Sequence, residues 1–380
     1  MSSLQDHHPV SDAEIPSLMT KIMSDPLFSS VARYIYPDKA LDEVKAFLSQ
    51  IRTVRELQGK VMRVNLGRIL SASHSSYTYH FSPEVKKGQP YLFVSNHRDI
   101  TLDAMLLQCA LYDEGFETSQ IVFGTNLLAI PLMEWVGRAN KMVGIERGGN
   151  PKEFFQCLSY LSGFLRSTIV GRRESVWIAQ GNGRTKDGND TTAPAIIKMF
   201  GISSDKPLSE AVAELNPVPV SVSYEIEPCD EMKAIELAKT RGEGHYEKSA
   251  DEDYMSALSG ITKEKGRIHI EVGSPLTAQQ LEACHDDANR IAALFDDAIR
   301  GNYHLHPSNY VAYDFKHGTT SFSDHYSASE KDRFLLRALS FKDKVNNPDV
   351  ALSNDERILA KQIFLDIYAT PIENKYGHLH

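Results

Sequence analysis

Six short apolar runs recur between residues 91 and 272, each bounded by glycine, proline, asparagine or charge and separated by longer stretches with helical spacing. They are Tyr91–Val94, Gln120–Phe123, Met142–Ile145, Val176–Ala179, Val218–Tyr224 and Arg267–Val272. Runs this short, between such breakers, read as strands. Asn150-Pro151-Lys152-Glu153 shows what lies between them: a cap, a proline in the first turn and an early acid. Phe154, Cys157, Leu158, Leu161, Phe164 and Leu165 then follow at helical spacing. The alternation predicts an α/β fold, a mixed sheet flanked by helices, with its ligand crevice at the carboxyl ends of the strands.

The flanks read differently. Ile15, Leu18, Met19, Ile22 and Met23 form one helical stripe and Val44, Phe47, Leu48 and Ile51 another, so residues 1–80 are expected to be an N-terminal helical region. Beyond Pro275 a helix through Leu281, Ile291, Leu294, Phe295 and Ile299 is expected to close at Gly301-Asn302. Helices over 329–345 and 353–369 follow. The polar stretches 227–262 and 316–327 have weak periodicity and are expected to be loops or lids. The organisation expected is thus 1–80 helical, 81–310 α/β core and 311–380 helical extension.

Composition narrows the function. The chain has 380 residues, 42% of them hydrophobic and 24% charged, which is ordinary for a globular protein. Its formal charge of −9 argues against a generic nucleic-acid binder but leaves room for a local basic pocket. No window approaches the roughly 18 to 20 apolar residues of a membrane span, and Met1-Ser2-Ser3-Leu4-Gln5-Asp6 lacks the basic and apolar regions of a signal peptide. A cytoplasmic location is expected. Cys109, Cys157, Cys229 and Cys284 have no paired spacing, so they are expected to be buried thiols rather than a zinc site or disulfides.

Three segments carry chemistry. The strand at Tyr91 breaks at Ser95-Asn96 and delivers His97-Arg98-Asp99 to the head of a helix expected from Ile100 to about Leu111. A histidine so placed can be a general base. Asp99 and Asp103 stand four apart, on one face near the helix start, so either can hold the other imidazole nitrogen, and Asp99 can also cap the helix. Gly144-Ile145-Glu146-Arg147-Gly148-Gly149 ends a strand with a fixed cation beside flexible amides, which suits a phosphate or carboxylate. Gln180-Gly181-Asn182-Gly183-Arg184-Thr185-Lys186-Asp187 is a glycine-rich loop with two cations, again the composition of an anion cradle. His97, Arg147 and Arg184 each follow a strand, so they are expected to converge. His304 and His306 are expected to be structural.

The order of these segments, with the proline-bearing strand Asn216-Pro217-Val218-Pro219-Val220, resembles the glycerolipid acyltransferase superfamily over roughly residues 85–275. The resemblance implies a catalytic base at His97, an orienting acid at Asp103 or Asp99, and acceptor-phosphate contacts at Arg147 and Arg184, with Lys186 as a further cation. It implies an enzyme that moves a fatty acyl group from acyl-CoA or acyl-carrier protein to a hydroxyl of glycerol 3-phosphate or a lysophospholipid. No metal or redox cofactor is implied, and peripheral membrane contact is expected. Two departures stand out. Five residues rather than four separate His97 from Asp103, and Asn182 occupies the position of the family's glutamate, which removes a charge from the loop.

Two other readings use the same residues. A divalent ion held by His97, Asp99 and Asp103 would make a phosphate ester hydrolase. A chain that keeps the anion cradle but is weakened at Asn182 would only bind a phospholipid or an acyl carrier. A kinase reading of His97-Arg98-Asp99 fails, because Ala104 stands where asparagine is needed and no glycine-rich ATP loop is present.

Overall fold

The computed structural model describes residues 9–124, 131–145, 150–243, 246, 249 and 252–377. Seven strands form one sheet: β1 Ser76–Phe81, β2 Leu92–Ser95, β3 Gln120–Gly124, β4 Met142–Ile145, β5 Val176–Ala179, β6 Pro217–Tyr224 and β7 Arg267–Val272. Their order is β1-β7-β6-β2-β5-β3-β4. Every neighbouring pair is parallel except β6 and β7, so the sheet is mixed, as expected.

Five of the six apolar runs became strands because both faces of the sheet are covered there, and the sixth, β7, buries only alternate residues. Leu92, Val94, Val176 and Ile178 point into one core with Leu161, Leu165, Ile291 and Phe295. Tyr91, Phe93 and Trp177 point into the other with Leu102, Leu106, Leu66 and Ile69. A strand buried on both faces needs a continuous apolar run rather than an alternating one. β1 escaped the sequence reading because Ser76-Tyr77-Thr78-Tyr79-His80-Phe81 is an edge strand that alternates exposed and half-buried. The sheet therefore begins five residues before the expected boundary at 81.

Three further expectations need correction. Residues 227–262 are mostly helical, in Asp230–Glu243 and Glu252–Thr262. The first has a stripe of small residues, Ala234 and Ala238, that fits under Phe364 and Tyr368, and this leaves little hydrophobic periodicity to detect. The helix expected after Pro275 is two, Ala278–Glu282 and Ala288–Gly301, interrupted at His285 and Asp286, whose φ angles of 53° and 58° are left-handed. A helix over Pro307–His317 was not expected at all. The last two expected helices are present, at Ala328–Asn346 and Asn354–Tyr376, the latter running through Pro371.

The C-terminal helices share a core with Asp230–Glu243 and are not a detached extension. Helix Asn354–Tyr376 also lies directly on the 180–190 loop at Gly188, which has φ of +77°. A Cβ there would stand 2.6 Å from the carbonyl oxygen of Ile367 and 2.9 Å from that of Asp366. Neither the dihedral nor the space admits a side chain. Gly188→Ala is expected to cost about 1–3 kcal/mol in chemical denaturation. Gly67→Ala, in an exposed helical position with open space around it, is expected to add about 0.5–1 kcal/mol instead.

Candidate active site

β2 and β5 are parallel neighbours in register, with Ser95 opposite Ala179, so the chain leaves both strands at the same edge of the sheet. The pairing continues beyond the strands: the amide of Gln180 donates to the Ser95 carbonyl at 2.7 Å, and that of Thr185 to the His97 carbonyl at 2.8 Å. On the other flank Asn96 extends the ladder onto β6 with its side chain, accepting from the Val222 amide at 2.8 Å and donating to the Val222 carbonyl at 3.0 Å. His97 and the glycine-rich loop are thus brought side by side by strand register.

His97 is 17% exposed, and its Nδ1 lies 2.9 Å from Oδ2 of Asp103, which is fully buried. Asp103 also accepts the amides of Arg98 at 2.6 Å and Asp99 at 2.9 Å, and its Oδ1 accepts the Tyr224 hydroxyl at 2.6 Å. Burial alone would push this carboxyl up, but the hydrogen bonds from His97 and Tyr224 and the amide of Asp99 hold it below its ordinary value. An ionised Asp103 takes the Nδ1 proton as partner and leaves Nε2 as the basic nitrogen. Trp177 sets the ring from the side, edge-on at 6.1 Å between centroids.

Asp99 has a different task. The helix starts at Leu102, two residues later than expected, so Asp99 precedes it and does not share a helical face with Asp103. Its Oδ1 accepts the amides of Thr101 at 2.8 Å and Leu102 at 2.7 Å, which satisfies the orphan donors of the first turn. Burial and then the neighbouring Asp103 raise its pKa. The acid facing His97 is therefore Asp103, and the longer spacing is accommodated by the extra residue of the Arg98–Thr101 turn.

Sequence reasoning missed the ionic core behind this turn. Arg98 is fully buried and grips Asp190 with Nε at 3.1 Å and Nη2 at 2.6 Å, reaches Glu227 at 3.2 Å, and lies 5.1 Å over the Tyr303 ring. Lys233, equally buried, donates to Glu227 at 2.6 Å and to the Arg98 carbonyl at 2.7 Å. Two buried cations meet two buried carboxylates. Asp190 also accepts from Asn96 at 3.0 Å and Thr185 at 2.8 Å, so one carboxylate ties the His97 turn to the far end of the loop. Asp190 lies 92 residues from Arg98, a pairing that nothing local in the sequence signals.

Two connected spaces open at His97. One, of about 330 Å³, is lined by residues of the 180–193 stretch, including Asn182, Arg184 and Lys186. The other, of about 130 Å³, is lined by Ile100, Ala104, Val122, Phe123 and Trp177, with Arg184 and Lys186 again at its rim. Arg184 donates through Nη2 to Ser256 at 3.2 Å, while its buried Nη1 has no hydrogen-bond partner among the described residues. Lys186 is committed to Glu236 at 2.6 Å. Asn182 is exposed. Arg147 lies outside the described residues, so its expected convergence with His97 and Arg184 has no structural counterpart here. Among the described residues, no group of three or more histidine, cysteine, aspartate or glutamate side chains could hold a metal ion. His97, Asp99 and Asp103 form no such set, because Asp99 is turned to the helix amides and Asp103 to its donors.

The remaining singled-out residues are structural in placement. Cys109, Cys157 and Cys284 are buried thiols and Cys229 is half-buried, and burial pushes Cys109 up to about 12. His306 is buried beside His304, at 4.9 Å between ring centroids. Burial and then His304 lower the His306 pKa to about 3.

Residues 76–194 match the acyltransferase family model. No curated protein matches the chain. Among solved structures the chain is similar to the 1-acyl-sn-glycerophosphate acyltransferase PlsC from Thermotoga maritima, at 12% identity over 73% of this chain and 95% of that one, with a TM-score of 0.37. A likeness at that level says nothing about chemistry. The family match agrees with the acyltransferase resemblance drawn from the motifs: residues 76–194 match an acyltransferase domain, and His97, Asp103, Arg184 and Asp190 all lie inside that stretch.

His306 yields a pH prediction. With its folded pKa below the unfolded value, the unfolded chain binds a proton that the native chain refuses. Its contribution to stability is complete above pH 6.5 and falls as pH drops from 6.5 toward 3, at up to about 1.4 kcal/mol per pH unit. Urea denaturation between pH 7 and 4 should show this slope, and His306→Gln should flatten it.

Proposed function

From an acyltransferase domain with this site, we propose that the protein transfers a fatty acyl group from a thioester, acyl-CoA or acyl-carrier protein, to a hydroxyl of glycerol 3-phosphate or a lysophospholipid. The observation that carries the reading is the Asp103-bound His97, which keeps Nε2 free at the junction of a polar loop and an apolar slot. The acceptor hydroxyl gives its proton to Nε2 as its oxygen attacks the thioester carbonyl, a step in which a positioned base contributes about 10²- to 10⁴-fold. Asp103 steadies the imidazolium. The carbon–sulfur bond then breaks, and the imidazolium returns the proton to the departing thiolate. No acyl-enzyme is needed.

Arg184, which lines both spaces at His97, holds the acceptor's phosphate, so that binding energy is used to orient the hydroxyl. Lys186, already neutralised by Glu236, contributes less than Arg184. Arg147 is proposed as a second phosphate contact from its motif alone. The slot beside Trp177 and Phe123 receives the first carbons of the acyl chain. The chain works as a peripheral protein on the cytoplasmic side of a membrane. Exposed Leu27, Val31 and Tyr34, spaced along the N-terminal helix Phe28–Ile35 and the residue before it, support that placement. No helix among the described residues is long and apolar enough to cross one.

The intact His97–Asp103 pair favours turnover over the binding-only reading, and the metal-hydrolase reading lacks a set of donors among the described residues. The test is thiol release from a panel of acyl-CoA and acyl-carrier-protein donors with glycerol 3-phosphate or lysophosphatidate. His97→Ala is expected to lower kcat by about 10²- to 10⁴-fold with an unchanged circular dichroism spectrum. A folded His97→Ala protein with native turnover would refute the mechanism.

A further inference from the structure

Among the described residues, a cavity of about 580 Å³ shares no lining residue with the two spaces at His97. Helix Glu252–Thr262 stands between them. Asp253 faces the apolar slot, whereas Met255, Leu258 and Ser259 face the large cavity. Ser256 touches both sides, its Oγ accepting from Arg184 and its carbonyl accepting from Cys229 Sγ at 3.4 Å. The volume is that of a small-molecule site.

Most charges in its wall are already paired. Arg337 holds Asp230 with both nitrogens, Lys344 holds Glu231 at 2.7 Å, and Glu227 belongs to the Arg98–Lys233 core. Lys263, Glu264 and Lys265 are the exceptions, and of these Lys263 and Glu264 are exposed at the rim while Lys265 is buried. It is 1% exposed, and its ammonium donates only to the carbonyl of Lys263, with no ion pair among the described residues. Burial lowers the pKa of Lys265, and the carboxylate of Asp99 opposes that shift. An ammonium has three donors, and the Lys263 carbonyl uses one of them, which leaves two for a ligand in the cavity. Lys263, exposed at the rim, adds a second positive charge. Opposite these lysines the wall is apolar, made by Met232, Met255 and Leu258, and the last two are 48% and 39% exposed.

We propose that this cavity binds a single-tailed anionic amphiphile, its head on Lys265 and Lys263 and its chain along Met232, Met255 and Leu258. The head is a carboxylate or a phosphate monoester, and the site is separate from the one that takes substrate at His97.

Calorimetric titration of the full chain tests this, using decyl phosphate and decanoate below their micellar range, with inorganic phosphate and decyl maltoside as probes lacking the tail or the charge. At least one decyl anion should bind at least about tenfold more tightly than either control, and which one binds identifies the head. Lys265→Met should weaken it by about tenfold or more, the loss expected for one charge-assisted hydrogen bond. Leu258→Trp, a substitution at a part-exposed mouth position, should weaken it as well and decides the matter if Lys265→Met does not fold. Binding should survive Arg184→Ala, which removes the anion contact at the first site. Absence of binding, equal affinity for inorganic phosphate, indifference to both cavity variants, or loss with Arg184→Ala would each overturn the proposal.

Discussion

The carboxylate of Asp190 decides the shape of the site. It accepts hydrogen bonds from Arg98, Asn96 and Thr185, and so closes the glycine-rich loop back onto the turn that bears His97. Such a contact is costly to assemble, because both charges leave water. The structure meets that cost with a second pair, Lys233 and Glu227, and with the ladder that Asn96 makes on β6. Removing one member leaves the remaining buried charges unbalanced. The loop is therefore held in place although it contains Gly181, Gly183 and Gly188, residues that would otherwise let it wander.

The C-terminal helices serve the same arrangement from outside. Tyr368 donates to Asp230 at 2.6 Å and accepts the Glu227 amide at 3.1 Å, while Arg337 holds Asp230 from the neighbouring helix. Arg300 adds a hydrogen bond to the Asp190 carbonyl at 2.8 Å. A segment that sequence reading set apart as an extension thus forms the back wall of the ionic core. The site thus draws on residues 224–233, Arg300 and the C-terminal helices as well as on the 76–194 domain.

What was legible in the sequence follows from the range of the interactions. Strands β2 to β6 were visible because two-sided burial demands apolar runs and β7 because its apolar residues alternate, and their ends fell within a residue of the expected positions. The His97 turn and the loop at Arg184 were visible because glycine, asparagine and cations after a strand are local signals. The partner of His97 was left open between two acids, and only the helix start at Leu102 separates Asp103 from Asp99. Asp190, Glu227 and Tyr224 were not singled out because each acquires meaning from Arg98 or Asp103, 90 or more residues away, and Lys233 was not because it matters only beside that cluster. Helix Asp230–Glu243 was hidden for a related reason, since alanines chosen for close packing carry almost no periodic signal.

The account stands most directly on the claim that Arg98 and Asp190 act as one unit, and a double-mutant cycle on Arg98→Met and Asp190→Leu measures it. Each single variant should lose about 3–5 kcal/mol, because it strands a buried charge. The double variant should lose less than the sum by at least about 1 kcal/mol, and either single variant should raise hydrogen exchange at the amides of 183–190. Additive losses, with loop amides as protected as in the native chain, would show that the two residues do not couple and that the loop is held over His97 by something else.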